Sequence, residues 1–313
     1  MTPDAFHAGE ARLQTLAGMR ERLAELGTRV IRDHMPDQHR ELFEKLPWMV
    51  VGSVDGEGRP WASVVIGHPG FVRTPDARSM RLAAWPGHGD PLAAALRPGA
   101  PLGLLGIQLE TKRRNRMNGR VRRVDDGGFE VEVVQSFGNC PQYIHVREPH
   151  FVAPPEAYRS PRPIDAQGPH LSPRALEIVG GADTLFIASA SSAQPGAPGA
   201  PAHDGVDVSH RGGAPGFVRV DQEAQGAVLT MPDYRGNFFF NTLGNLLEYP
   251  RAGMLFVDFE RGDLLALTGR AEVVLEGAEL ARFEGALRLV RLHVEAGRLD
   301  RGGLPLRWRV PGG

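Results

Sequence analysis

The sequence predicts an α+β chain, mainly β, built as two tandem barrel units with flanking helices. Helical periodicity is confined to short flanking stretches, and much of the remaining text is short apolar runs broken by Gly, Pro and Asp. Part of the text is also written twice: PGFVR stands at 69–73 and again at 215–219. With 39 glycines and 26 prolines the composition suits many turns rather than a helical bundle. A length of 313 residues exceeds the usual single domain, so two domains are expected.

Residues 8–34 space Leu13, Leu16, Leu23, Leu26, Val30 and Ile31 for one amphipathic helix that ends before Pro36. A second helical piece runs from Asp37 to Leu46 and stops at Pro47, whose fixed φ and missing N–H make a boundary. Residues 1–46 therefore form an N-terminal helical segment. From Trp48, WMVVGSV, the turn DGEGRP and WASVVIG read as a hairpin. RSMRLAAW, PLGLLGIQLE and FEVEVVQSF follow as strands, with one short helix in DPLAAALRPG, giving a first barrel unit over 47–150. The Pro-rich stretch 151–170 is a connector. LSPRALEIVGGADTLFIASAS then repeats helix, Gly-Gly stop and strand, opening a second unit over 171–313.

The repeat extends beyond five residues. PWASVVIGHPGFV (60–72) lies over VDVSHRGGAPGFV (206–218), placing Ser63 on Ser209. LGLLGIQLETKRRNRMNGRV (102–121) lies over AGMLFVDFERGDLLALTGRA (252–271), so Glu110 meets Glu260 and Gly119-Arg120 meets Gly269-Arg270. The period is far too long for a solenoid.

Composition excludes several function classes. A net charge of -1 offers no global field for nucleic acid, and the basic run TKRRNRMNGRVRR has no stacking platform beside it. One cysteine, Cys140, allows no intramolecular disulfide and no Cys-rich zinc site. The histidines show no metal-ligand spacing, so no metal is expected. No secretory signal and no bilayer-length apolar run are visible, so the expected location is cytoplasmic, without membrane contact.

Candidate chemistry gathers in the second unit. Asn237, Asn241, Thr242 and Asn245 follow at spacings of four, one and three, and on a helix the last three share a face near its start. They suit a phosphate, which would also meet backbone N–H groups; Asn237 suits a plain N-cap equally well. Strand alternation puts Ser209 and Arg211 on one side, ahead of Gly212 and Gly213, where a flat ligand could come close. Arg114 and Arg116 alternate with Arg113 and could face a cleft between the units, or the run could be a solvated hairpin. Cys140 stands near His145 with no distant orienting group, and packing accounts for it better than catalysis.

DYRGNFFFNTLGNLLEYPRAGMLFVDFERGDLLALTGRAEVV, GVDVSHRGGAPGFVRV, MPDQHRELFEKLPWMVVGSVDGEGRPWASVVIG and FGNCPQYIH resemble the pyridoxamine 5'-phosphate oxidase-like, FMN-binding split-barrel proteins, above all their tandem flavin-nucleotide-binding branch. The resemblance implies FMN held between two split barrels, with its phosphate on strand residues and the start of a following helix. On this chain those places fall near Ser209 to Arg211 and near Phe240, Asn241 and Thr242. Asn241 and Thr242 are neutral where the oxidase carries cations. The first unit has Leu92, Ala93, Ala94 and Ala95 in the corresponding place, so the resemblance implies one FMN site, made mostly by the second unit. It implies an oxidoreductase served by NADH, NADPH or a separate reductase, with no assigned catalytic residue, and a homodimer as one candidate assembly. A non-catalytic flavin carrier or sensor is one alternative, and a haem-binding split barrel with His210 on iron is another.

Overall fold

The computed structural model describes residues 4–197 and 199–312. Its helices are α1 (Ala8–Leu16), α2 (Arg20–Val30), α3 (Asp37–Lys45), α4 (Leu92–Ala95), α5 (Pro173–Gly181) and α6 (Asn241–Glu248). In the first half the strands are β1 (Trp48–Val54), β2 (Pro60–Ile66), β3 (Val72–Asp76), β4 (Ser79–Leu82), β5 (Pro101–Gln108), β6 (Arg113–Asp125) and β7 (Gly128–Gly138). Two short strands, β8 (Glu148–Phe151) and β9 (Asp165–Gln167), lie in the middle. The second half has β10 (Thr184–Ala190), β11 (Val206–Gly212), β12 (Arg219–Glu223), β13 (Gly226–Asp233), β14 (Arg251–Val257), β15 (Leu264–Val274), β16 (Arg288–Asp300) and β17 (Leu306–Arg309). The fold class is the expected one, α+β and mainly β.

The two large sheets have the same strand order. The first runs β2-β1-β5-β6-β7-β4-β3 and the second β11-β10-β14-β15-β16-β13-β12, with β9 added on β16. Written in each half's own order, the paths are identical. All the neighbouring pairs are antiparallel, and the end strands β2 and β3 are not paired to each other, so the sheet is split rather than closed.

The halves meet about a pseudo-twofold axis. A Cβ at Gly103 would lie 2.6 Å from the Val206 carbonyl oxygen, and one at the equivalent Gly253 would lie 2.4 Å from the Pro60 carbonyl oxygen. Only glycine lets β5 approach β11, and β14 approach β2, this closely. One core cluster fills each half, and a third, including Val64, Leu105, Phe186, Val208 and Leu255, is shared between them. The shared cluster explains why these strands are apolar on both faces.

The helix expected over 8–34 is two helices. Gly18 takes φ +65° just after α1 and turns the chain. α1 then lies on α6 of the second half, where Gly9 and Gly244 allow the backbones to touch. The run expected as either strand or solvated hairpin is strand β6, with Met117 and Val121 in the core. Among the described residues, no helix is long and apolar enough to cross a membrane.

Candidate functional site

Between β6 of the first half and β11 and α6 of the second lies a cleft open to solvent. Alternation on β11 aims Asp207, Ser209 and Arg211 toward β6, whose Arg114 and Arg116 reach back. Seven of the nine residues proposed from sequence line this cleft: Ser209, Arg211, Asn237, Asn241, Thr242, Arg114 and Arg116.

Asp207 organises its inner wall. Its Oδ1 accepts from Arg116 Nη1 at 2.9 Å and from Asn118 Nδ2 at 2.8 Å, while Oδ2 accepts from Asn245 Nδ2 at 3.0 Å. Arg116 also donates to Ser209 Oγ, which accepts in turn from Thr242 Oγ1 at 3.0 Å. The guanidinium lies 5.2 Å from the Phe137 ring. An internal carboxylate thus takes two of the donors expected at the ligand, Arg116 and Asn245. Asn245 is a correction: it is buried, bonds Ser189 and Asp207, and stands behind the cleft wall. Gly213 is another, since it packs on Phe217 and its carbonyl accepts from His145 Nε2 at 2.9 Å.

Donors remain in front of that wall. Arg114, Arg211, Arg235 and Arg288 line the cleft, and Asp233 is the carboxylate among them, 3.6 Å from Arg211 Nη2 and 3.5 Å from Arg288 Nη1. The buried Nε atoms of Arg114, Arg116 and Arg211 have no partner, nor does His210 Nε2. Such orphans cost free energy in a protein interior, and four of them gather at this cleft. Burial, with Arg211 and Arg116 nearby, pushes Arg114 down to about 10, which still leaves it charged at neutral pH. His210 accepts from Arg114 Nη1 through Nδ1 at 2.7 Å. Burial and the neighbouring arginines hold its imidazole well below the usual range, hence neutral.

Backbone strain concentrates at the mouth. Among the described residues four non-glycine residues have positive φ, and of these Tyr143, Phe238 and Phe240 line the cleft. Tyr143 stacks on Tyr234 at 5.4 Å and 23°. Phe240, at φ +63°, is the residue that caps α6, whereas Asn237 accepts from Phe239 N at 3.1 Å and caps nothing. On the far side Glu10 of α1 accepts from Asn241 Nδ2 at 2.5 Å. Burial, then the Asp207 charge, pushes Glu10 up to about 8. Cys140 is half-exposed on the cleft rather than packed away, and His145 turns to Gly213 and Asp183 instead.

Residues 35–154 match the family model described as pyridoxamine 5'-phosphate oxidase. Over that segment the chain is similar to the pyridoxamine 5'-phosphate oxidase family. That segment supplies the β6 arginines, and the second half, with the same strand order, supplies the facing wall. Solved structures similar to this chain include HupZ of Group A Streptococcus, at 16% identity over 42% of this chain and 93% of that one, TM-score 0.30. HutZ, the haem storage protein of Vibrio cholerae, is 16% identical over 42% of this chain and 95% of its own, TM-score 0.28. An FAD-binding protein of Mesorhizobium loti is 15% identical over 44% and 98%, TM-score 0.27. No curated protein matches this chain.

Sequence reasoning missed Asp207, Glu10, Asp233, Arg235 and Arg288. Asp207 had a visible signal, because it stands two residues before Ser209 on the same strand face. Glu10 had none, since its contact with Asn241 spans 231 residues.

Proposed function

We propose that this chain binds FMN in the cleft between its two halves and works as a flavin-dependent oxidoreductase. The carrying observation is the set of buried guanidinium N–H groups on Arg114, Arg116 and Arg211 that have no acceptor within the protein. A phosphate dianion offers acceptors of the right charge, and planar guanidinium forks hold it in a fixed orientation. Arg114 and Arg211 would hold that anion. The backbone start of α6 would add N–H donors behind it. Asp207 would keep Arg116 in position, and Tyr143, Tyr234 and Phe238 would wall the apolar part of the ligand from water.

FMN, when bound, supplies the hydride or electron chemistry. The side chains then need only bind, orient and desolvate it. A haem reading finds less support, because the His210 ring packs 5.8 Å from Phe186 and its Nδ1 is engaged by Arg114. A flavin carrier would use the same cleft.

The absorption spectrum of the purified chain, with and without added FMN, tests the reading. Flavin bands, or a colourless chain that FMN stabilises and whose flavin fluorescence is quenched, support it. A Soret band, or a chain indifferent to FMN, overturns it. Stopped-flow reduction by NADH or NADPH then separates oxidoreductase from carrier.

A further inference from the structure

The pseudo-twofold axis that relates β2 to β11, β6 to β15 and α4 to α6 generates a second position equivalent to the cleft. Its residues are of a different kind. Where the cleft has Arg114, Arg116 and Arg211, the equivalent places hold Leu264, Ala266 and Val65, all buried and apolar. Ser63, the counterpart of Ser209, donates to Asp90 Oδ1 at 2.6 Å, and Leu92 N donates to the same oxygen at 2.9 Å. A carboxylate of the chain itself thus caps α4.

Each cation nearby is held by a carboxylate of the chain, although Arg298 Nε and the Tyr158 hydroxyl have no partner. Arg298 reaches Asp90 Oδ2 at 3.4 Å and donates to the His88 carbonyl at 2.6 Å. Arg162 grips Asp300 through Nε at 2.7 Å and Nη2 at 2.5 Å. Two arginines therefore meet two carboxylates, whereas of the five arginines lining the cleft Arg116 pairs with Asp207, Arg211 and Arg288 pair with Asp233, and Arg114 and Arg235 pair with neither. The remaining space holds Tyr158, which is 1% exposed and packs in one apolar cluster with Leu264 and Ala266. Its ring lies so close that a Cβ at Gly87 would be 2.5 Å from Tyr158 Cζ. Tyr158 comes from the one-turn helix Pro155–Arg159, which the sequence marks only as connector.

We propose that the connector plugs the second pseudo-equivalent position with Tyr158, so that each chain takes one flavin phosphate ligand and builds both walls of that site itself. The inference rests on the FMN reading above. Titration of the full-length chain with FMN by calorimetry tests both. One equivalent per chain is expected. Two equivalents leave the FMN reading standing and overturn the plug; no binding overturns the reading and the plug with it. Arg114→Ala/Arg211→Ala, checked for folding by circular dichroism, is expected to bind at least tenfold more weakly. Retention of one tight equivalent by that variant would put FMN elsewhere and overturn the assignment. Tyr158→Phe keeps the ring in place and is expected to leave stoichiometry and Kd within twofold. A larger change in Kd would mean that FMN reaches Tyr158, which also overturns it.

Discussion

Arg116 of the first half and Asp207 of the second form a buried ion pair, Nη1 to Oδ1 2.9 Å, that joins the two sheets at the inner wall of the cleft. The same carboxylate holds Asn118 and Asn245, so the joint between the halves and the anion site share their donors. Asp207→Ala would take an acceptor from Asn118 and Asn245 and leave the buried Arg116 charge unpaired, and is expected to cost about 3–5 kcal/mol in urea unfolding, the scale for breaking a buried pair on one side. Released from Asp207, Arg116 turns its charge to the ligand, so the folded variant is expected to bind FMN more tightly, by about tenfold or 1.4 kcal/mol. Weaker binding would show instead that Arg116 serves the ligand only while Asp207 holds it in place.

Arg114 and Arg211 are the cations with an unpaired buried Nε on the ligand side of that wall. Each Arg→Ala change is expected to weaken FMN binding by about 1–3 kcal/mol, the scale for a hydrogen bond to a charged group. Thr242→Ala acts differently, because the Thr242 hydroxyl is spent on Ser209. Its expected cost is about 1 kcal/mol of stability, with a smaller effect on FMN than either arginine. Fluorescence titration beside denaturant unfolding separates the two effects.

Much of the fold was legible because it is local or repeated. The β1–β2 hairpin, α4 and α5 announce themselves through alternation, Gly, Pro and the Ser172 cap. The aligned Ser63 and Ser209 occupy equivalent places on β2 and β11. Seven of the residues read from the sequence line one cleft, because strand and helix periods fix which side chains share a face. What escaped depends on contacts far apart in sequence. Asn245 reads as a ligand donor until Ser189 and Asp207 are seen to take it, and Tyr158 reads as linker until Gly87 is seen beneath its ring. The break at Gly18 escaped because a single glycine does not prohibit a helix, and only its φ of +65° shows the turn.

Glu10 predicts a pH dependence of stability. Its carboxyl is pushed up to about 8 by burial and the Asp207 charge, whereas in an unfolded chain it titrates near the usual value of about 4.3. Between those values the folded state keeps a proton that the unfolded state has lost, so stability is greatest below the unfolded value and falls as pH rises toward 8. The expected loss is on the order of 1–4 kcal/mol across that window, and Glu10→Gln should flatten it. Urea midpoints at several pH values between 5 and 9 in both proteins check the sign. A wild-type midpoint contribution from Glu10 that rises with pH would contradict it.

The pseudo-twofold packing of the halves predicts a matched pair of effects. A methyl group at Gly103 or Gly253 would meet a backbone carbonyl of the other half, at 2.6 Å from Val206 and 2.4 Å from Pro60. Backbone cannot swing aside as a side-chain end can, so strands β5 and β14 would have to withdraw from the shared core. Gly103→Ala and Gly253→Ala are each expected to cost about 1–3 kcal/mol or more, the scale for overpacking. Gly180→Ala is the control. It lies in α5 with nothing within 4 Å of the added carbon, and a helical glycine replaced by alanine there should stabilise by about 0.5–1 kcal/mol. Thermal unfolding of the three variants checks this: losses at positions 103 and 253 with a gain at 180 identify the glycines as the contact that lets one chain fold as a joined pair.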